Sequence, residues 1–347
     1  MRSLSFTLLT WILLSITTGE TQAQLVTADD TFGIPPFQQL VVEAPGVLDN
    51  DLYNGEPAED GGATAILGDG PLFGTLECEA EPTFELCPDG SFTYTPDLGF
   101  PGADEFTYQA IVGPEMIQAT VKLSACSGGP TQFVCWIEAE FLAKLQEVGC
   151  DDFTEGFEDD LAWGAARSPF TSPSVVSQGI AWESNFPLPP AENEITTGSG
   201  PARSGQWGVF DPEHGYATGS AVQCDVDTPP EHCLHKDGFT GTRRPGELTL
   251  RAVGGYFAGA ALPKLAMILD GGTPISLGGA PNDFQFYGVI DTSGFQKFRI
   301  EERDGKLGQA RYVFADDFTF GTSLSEIFID GFDSGGTSAW SSFTPGP

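Results

Sequence analysis

Short runs in which apolar and polar side chains alternate residue by residue, each closed by Gly, Pro, Asp or Asn, constrain this chain more than any other feature. Ile117, Ala119, Val121 and Leu123 alternate with Gln118, Thr120, Lys122 and Ser124. A period of two places one set on one face of a strand and the other on its opposite face. Phe92 and Tyr94 alternate in the same way with Ser91, Thr93 and Thr95, as do Phe106 and Tyr108 with their neighbours, and Asp89-Gly90 marks a tight turn before them. About seven such runs in residues 24–125 predict an antiparallel sandwich. From Cys150 onward the runs lengthen and gain aromatics: Gln206 to Phe210, Glu247 to Val253, Leu265 to Leu269, Phe284 to Ile290, Phe295 to Glu301 and Ala310 to Phe320. Their spacing and Gly-rich turns predict a second sandwich, of jelly-roll or lectin-like type, over residues 150–322. The chain is therefore expected to be all-β.

One segment breaks the pattern. Trp136, Ile137, Phe141, Leu142, Leu145 and Val148 recur at helical spacing, and Gly149 is placed to end a helix. Residues 126–149 are expected to form a linker with a short connecting helix, the boundary lying near Ser127-Gly128-Gly129-Pro130. Residues 1–23 resemble a signal peptide: Arg2, an apolar stretch from Phe6 to Ile16, and a small-residue cleavage site at Thr21-Gln22-Ala23. No later stretch reaches the roughly 20 apolar residues of a spanning helix, so no membrane insertion is expected after that segment is removed. Localisation is expected to be extracellular or at the cell surface, with the periplasm as the alternative. Seven cysteines in an exported chain predict disulfides. Cys78–Cys87 and Cys224–Cys233 are the expected local bridges, while Cys126, Cys135 and Cys150 leave an odd thiol whose partner the spacing does not name.

Charge separates the two halves and removes several functions. The net charge is −34. Residues 24–125 hold 18 acids and one base, Lys122, whereas residues 126–347 hold 30 acids and 13 bases. Such a field repels phosphate backbones, so nucleic acid is excluded as a partner.

Ala28-Asp29-Asp30, Gly46-Val47-Leu48-Asp49-Asn50-Asp51, Gly74-Thr75-Leu76, Asp89-Gly90-Ser91-Phe92-Thr93-Tyr94-Thr95-Pro96, Gly99-Phe100 and Asp104-Glu105-Phe106-Thr107-Tyr108 together resemble one bacterial cadherin-like, Ig-like repeat. That family occurs in tandem in secreted adhesins. The single copy here carries an insertion from Cys78 to Cys87 between two strands of a hairpin. The segments Gly254-Gly255-Tyr256-Phe257, 284–291 and 314–321 resemble the jelly-roll modules of secreted bacterial surface proteins. Residues 323–347 form an acidic, Gly/Ser-rich tail. Its Ile327-Phe328-Ile329-Asp330-Gly331-Phe332 is similar to a short motif near the ends of secreted bacterial proteins, and residues 153–159 echo it.

Chemical signatures are few. No Gly-x-Ser-x-Gly elbow, His-Glu-x-x-His pair or phosphate-binding Gly-Lys loop occurs. Cys224, His232, Cys233 and His235 have metal-ligand types, but the spacing is not a standard zinc arrangement and a disulfide explains the cysteines. Calcium fits the acidic turns better, because it takes six to eight oxygens. The resemblance to jelly-roll modules implies a site from Glu158 and Asp159 with Asp317, one of the adjacent Asp316 and Asp317 facing away. The cadherin-like pattern implies a weaker site from Asp29, Asp30, Asp49 and Asp51. Trp163, Trp182, Trp207, Tyr216, Tyr256 and Tyr287 are the candidate sugar-stacking rings of the second unit. The expected function is a secreted, non-enzymatic surface or matrix protein that contacts a glycan or another surface protein. The alternatives are a secreted carboxylate-dependent glycoside hydrolase and a purely structural, calcium-stabilised protein.

Overall fold

The computed structural model describes residues 24–35, 38–185, 195–200, 202–210, 238–259, 264–279, 283–302 and 313–323. The expected signal peptide, the Cys224–Cys233 bridge, all three histidines, Tyr216 and residues 324–347 of the tail lie outside them. Among the described residues no helix is long and apolar enough to cross a membrane.

Strands dominate, as the alternation requires. The first unit contains β1 (Leu25–Val26), β2 (Asp30–Gly33), β3 (Leu40–Val42), β4 (Leu52–Tyr53), β5 (Glu56–Pro57), β6 (Thr64–Leu67), β7 (Gly74–Glu77), β8 (Phe92–Pro96), β9 (Ala103–Val112) and β10 (Glu115–Ser124). They form sheets in the orders β2-β10-β9-β6, β3-β8-β7 and β1-β4-β5. Pairing is antiparallel except between β2 and β10. Phe92, Tyr94, Phe106, Tyr108, Val121 and Leu123 fill the core, whereas Ile117 lies exposed. The Asp89-Gly90 turn is held tightly: the Gly90 carbonyl accepts from the Val47 N–H at 3.0 Å, and a Cβ on Gly90 would stand 2.0 Å from the Pro45 oxygen. Cys78 and Cys87 are disulfide-bonded within the β7–β8 connection.

The second unit begins earlier than the composition predicts. Its elements are β11 (Cys126–Gly128), β12 (Gln132–Cys135), α1 (Glu138–Glu147), β13 (Cys150–Glu155), α2 (Asp160–Trp163), β14 (Val175–Ser177), β15 (Ile180–Ser184), β16 (Thr196–Gly198), β17 (Gly208–Phe210), β18 (Gly238–Arg243), β19 (Leu250–Gly259), β20 (Lys264–Leu269), β21 (Ile275–Gly279), β22 (Gln285–Phe295), β23 (Lys297–Glu302) and β24 (Val313–Ser323). An eight-stranded sheet runs β11-β12-β22-β19-β24-β17-β16, with β13 also paired to β24. A six-stranded sheet, β14-β15-β18-β23-β20-β21, packs against it.

Residues 126–149 are thus not a linker. Ser127-Gly128-Gly129-Pro130 belongs to a hairpin connection, not a domain boundary, because β12 pairs with β22 and β11 with β12. Cys126 and Cys135 face each other across that hairpin and form a disulfide, leaving Cys150 as a buried thiol. The helix also starts later than its apolar spacing suggests, at Glu138, because Trp136 and Ile137 serve the junction with the first unit. The Trp136 indole N–H donates to the Ile34 carbonyl at 2.9 Å, and its ring stacks on Phe100. Ser124 Oγ donates to Glu140 on α1 at 3.0 Å.

Between the two large sheets lies an aromatic core. Trp182 packs against Phe157, Trp163, Phe239, Phe298, Phe318 and Phe320, mostly edge to face. Such pairs add to area burial by matching positive ring edges to negative faces. The Trp182 indole nitrogen has no hydrogen-bond partner, so its contribution is packing alone. Trp182→Ala is expected to destabilise the protein by about 3–5 kcal/mol, read as a shift in the urea midpoint.

Candidate functional site

Acidic residues place the irregular parts of this protein, and they do so by accepting backbone N–H groups that no strand can satisfy. At one pole of the first unit Asp51 is fully buried. One of its oxygens accepts from the Ala28 N–H at 3.0 Å, and the other from the Tyr108 hydroxyl at 2.9 Å. Asp29 accepts from the Thr120 N–H at 2.9 Å. Asp30 is also buried, with one oxygen unpartnered. Burial first, and the Asp51 charge second, push its carboxyl from 3.8 up to about 7. At the opposite side, Asp104 accepts from the N–H groups of Leu72 and Phe73 and from the Tyr94 hydroxyl.

The second unit repeats this device around loop 202–207. Glu158 Oε1 accepts from the N–H groups of Gln206 and Trp207, at 2.7 and 2.8 Å. A Cβ on Gly205, whose φ is +59°, would stand 2.4 Å from that same oxygen, so the tight approach requires glycine. Asp316 Oδ2 accepts from the N–H groups of Arg203 and Ser204, at 2.8 and 3.0 Å. Asp317 binds the side chains of the same two residues: its carboxylate meets Arg203 Nη1 at 2.6 Å and accepts from Ser204 Oγ at 2.7 Å. Strand alternation would send Asp316 and Asp317 to opposite faces. A β-bulge opposite Gly255, with Asp317 at φ +48°, brings both to one loop instead. Burial raises the Asp316 carboxyl from 3.8 to about 6, against the pull of the three backbone N–H groups it accepts.

All seven expected calcium ligands lie among the described residues. Glu158 and Asp317 converge on one loop, where they accept from N–H, hydroxyl and guanidinium donors. Asp159 caps α2, accepting from the Leu161 N–H at 2.9 Å, as a helix start requires. Asp29, Asp30, Asp49 and Asp51 share a pole, yet Asp29 and Asp51 are taken up by backbone and tyrosine donors. Among the described residues, no group of three or more His, Cys, Asp or Glu side chains is placed to hold a metal ion.

The rings separate as clearly. Trp163, Trp182 and Tyr287 are fully buried core residues. Trp207 and Tyr256 are partly exposed, and each carries an arginine on its face: Arg167 over Trp207 at 4.4 Å and Arg203 over Tyr256 at 3.4 Å. Arg167 also reaches the Phe157 carbonyl and Asp160. The Tyr256 hydroxyl donates to Glu138 at 2.8 Å. Loop 202–207 therefore lies between two partly exposed rings, each with an arginine over one face, and gathers carboxylates and guanidinium groups beside them. Arg203 and Glu138 carried no sequence signal for this site, because they come from separate elements, whereas Asp316 was visible only as the neighbour of Asp317.

Residues 21–123 match the family model of a bacterial Ig domain. No curated protein matches the sequence. The solved CBM51-2 and INT domains of Clostridium perfringens ZmpB give a TM-score of 0.23 at 6% identity, covering 86% of this chain. This chain spans 48% of that one, and a superposition of this quality supports no inference.

Two expected outcomes follow from the acids. Both Asp30 and Asp316 hold their protons more tightly in the folded state than at the ordinary 3.8. The folded chain then binds more protons than the unfolded one between about pH 4 and 7, and stability falls as pH rises through that window. Unfolding at pH 5 is expected to cost about 4 kcal/mol more than at pH 8. Asp30→Asn and Asp316→Asn should each flatten the slope, which general relief of charge repulsion would not do. If the expected calcium sites form, millimolar calcium raises the melting temperature by several degrees, and a shift under about 1 °C rejects them. A site saturated at 100 times its Kd would add roughly 2.7 kcal/mol, worth several degrees.

Proposed function

We propose that this protein is a non-enzymatic surface or matrix protein in which the Ig-like unit holds the second sandwich and presents loop 202–207 to a glycan or another surface protein. One observation carries the reading. Trp207 and Tyr256, the partly exposed rings among the described sugar-stacking candidates, stand at the two ends of a loop fixed by Glu158, Asp316 and Asp317. A fixed loop loses little entropy on binding, so its stacking energy is retained as affinity. The match of the first unit to a bacterial Ig domain supports a presenting role for it. The Trp136 contact to Ile34 and Phe100 supports a defined angle between the units. Two disulfides support an oxidising compartment outside the cytosol.

Binding to a glycan or surface-protein array without turnover is the expected result. Trp207→Ala should weaken that binding at least about tenfold, the loss of roughly one stacking contact, while leaving the far-UV spectrum unchanged. Release of reducing sugar from a polysaccharide panel would instead support the hydrolase alternative.

A further inference from the structure

The six-stranded sheet carries a polar concavity of about 460 Å³ on its outer face, the sheet opposite the one that holds loop 202–207. Register defines it. Glu183 on β15 pairs with Thr240 on β18, Thr240 with Arg299 on β23, and Arg299 with Ile268 on β20. Directly paired residues share a face. Their chain neighbours Trp182, Phe239, Phe298 and Met267 are buried in the core, so this row faces outward. Lys297 lies two residues from Arg299 on the same face.

Some of these groups are held in place. Asn185 donates to the Ile300 carbonyl and accepts from Thr240 Oγ1 at 2.7 Å, which fixes its amide. Asp270 accepts from the N–H groups of Gln296 and Lys297 and closes the adjoining turn. Arg299 pairs with the buried Glu301 through Nη2 at 2.9 Å, and its Nε has no hydrogen-bond partner. Glu183 and Lys297 are exposed and make no ion pair among the described residues. The groove therefore offers an acceptor at the Glu183 end and donors at the Lys297 and Arg299 end, roughly 10 Å apart across two strand spacings.

A ligand that satisfies both ends must donate and accept along its length, which hydroxyl groups do. An anion would meet Glu183 and Asp270, and among the described lining residues an apolar ligand would find only Ile268 as a large apolar side chain. We propose that this groove hydrogen-bonds a neutral hexopyranose unit, giving the protein a second saccharide site on the face opposite loop 202–207. The proposal rests on the glycan branch of the function above. With no stacking ring among the described residues of the groove, a single sugar should bind with a Kd in the millimolar range.

The test uses the full chain and the methyl pyranosides of glucose, galactose and mannose, read by saturation-transfer NMR and calorimetric titration. At least one hexoside should bind saturably. Glu183→Gln and Lys297→Gln, both surface changes, should each weaken it about fivefold or more with the melting temperature unchanged. Trp207→Ala should leave it intact. The proposal is overturned if no hexoside saturates, if both groove variants bind as the parent does, or if hexuronates bind while neutral sugars do not. Hexoside binding that survives alongside array binding insensitive to Trp207→Ala would refute the loop reading and leave the groove standing.

Discussion

A carboxylate that accepts backbone N–H groups is the interaction on which the irregular parts of this protein depend. Strand ladders satisfy their own donors and acceptors, but the connections between short strands leave N–H groups without ladder partners. Asp51 takes the Ala28 donor, Asp104 those of Leu72 and Phe73, Glu158 those of Gln206 and Trp207, and Asp316 those of Arg203 and Ser204. The abundance of acids is thus partly structural. Asp30 and Asp316 show what burial does to them: each is held well above the ordinary carboxylate range.

The aromatic core of the second unit gives those clamps a firm base. Phe157 lies at φ +62°, its N–H donating to Glu155 at 2.6 Å and its carbonyl accepting from Arg167. That strained residue delivers its ring beneath Trp163 and Trp182. The following residue, Glu158, then faces outward beneath loop 202–207. Packing inside and clamping outside are consecutive consequences of one short segment.

The two units meet through ordered contacts. Ala125 donates its N–H to Gly102 and accepts that of Trp136, so the last strand of the first unit passes directly into the hairpin that opens the second. A Cβ on Gly102 would stand 2.7 Å from Glu140 Cγ, which leaves little room between the helix and the first unit.

Alternation was enough to read both sandwiches, the buried faces of Phe92, Tyr94, Phe106 and Tyr108, and the Asp89-Gly90 turn, because a period of two depends only on neighbours in sequence. The hairpin at 126–135 was hidden, since Ser127-Gly128-Gly129-Pro130 has the composition of a linker and only pairing with β22 makes it part of a sheet. The acids were visible as acids, and Glu158 and Asp317 were singled out, but their partners were not. Asp317 meets Arg203 because a bulge suspends alternation at one residue of β24, and Tyr256 meets Glu138 because α1 folds over β19. The sequence by itself determined the β class, the two units and the excess of carboxylates. Tertiary structure alone decided what each carboxylate holds, because a hydrogen bond needs its donor within about 3 Å, and these donors come from distant parts of the chain.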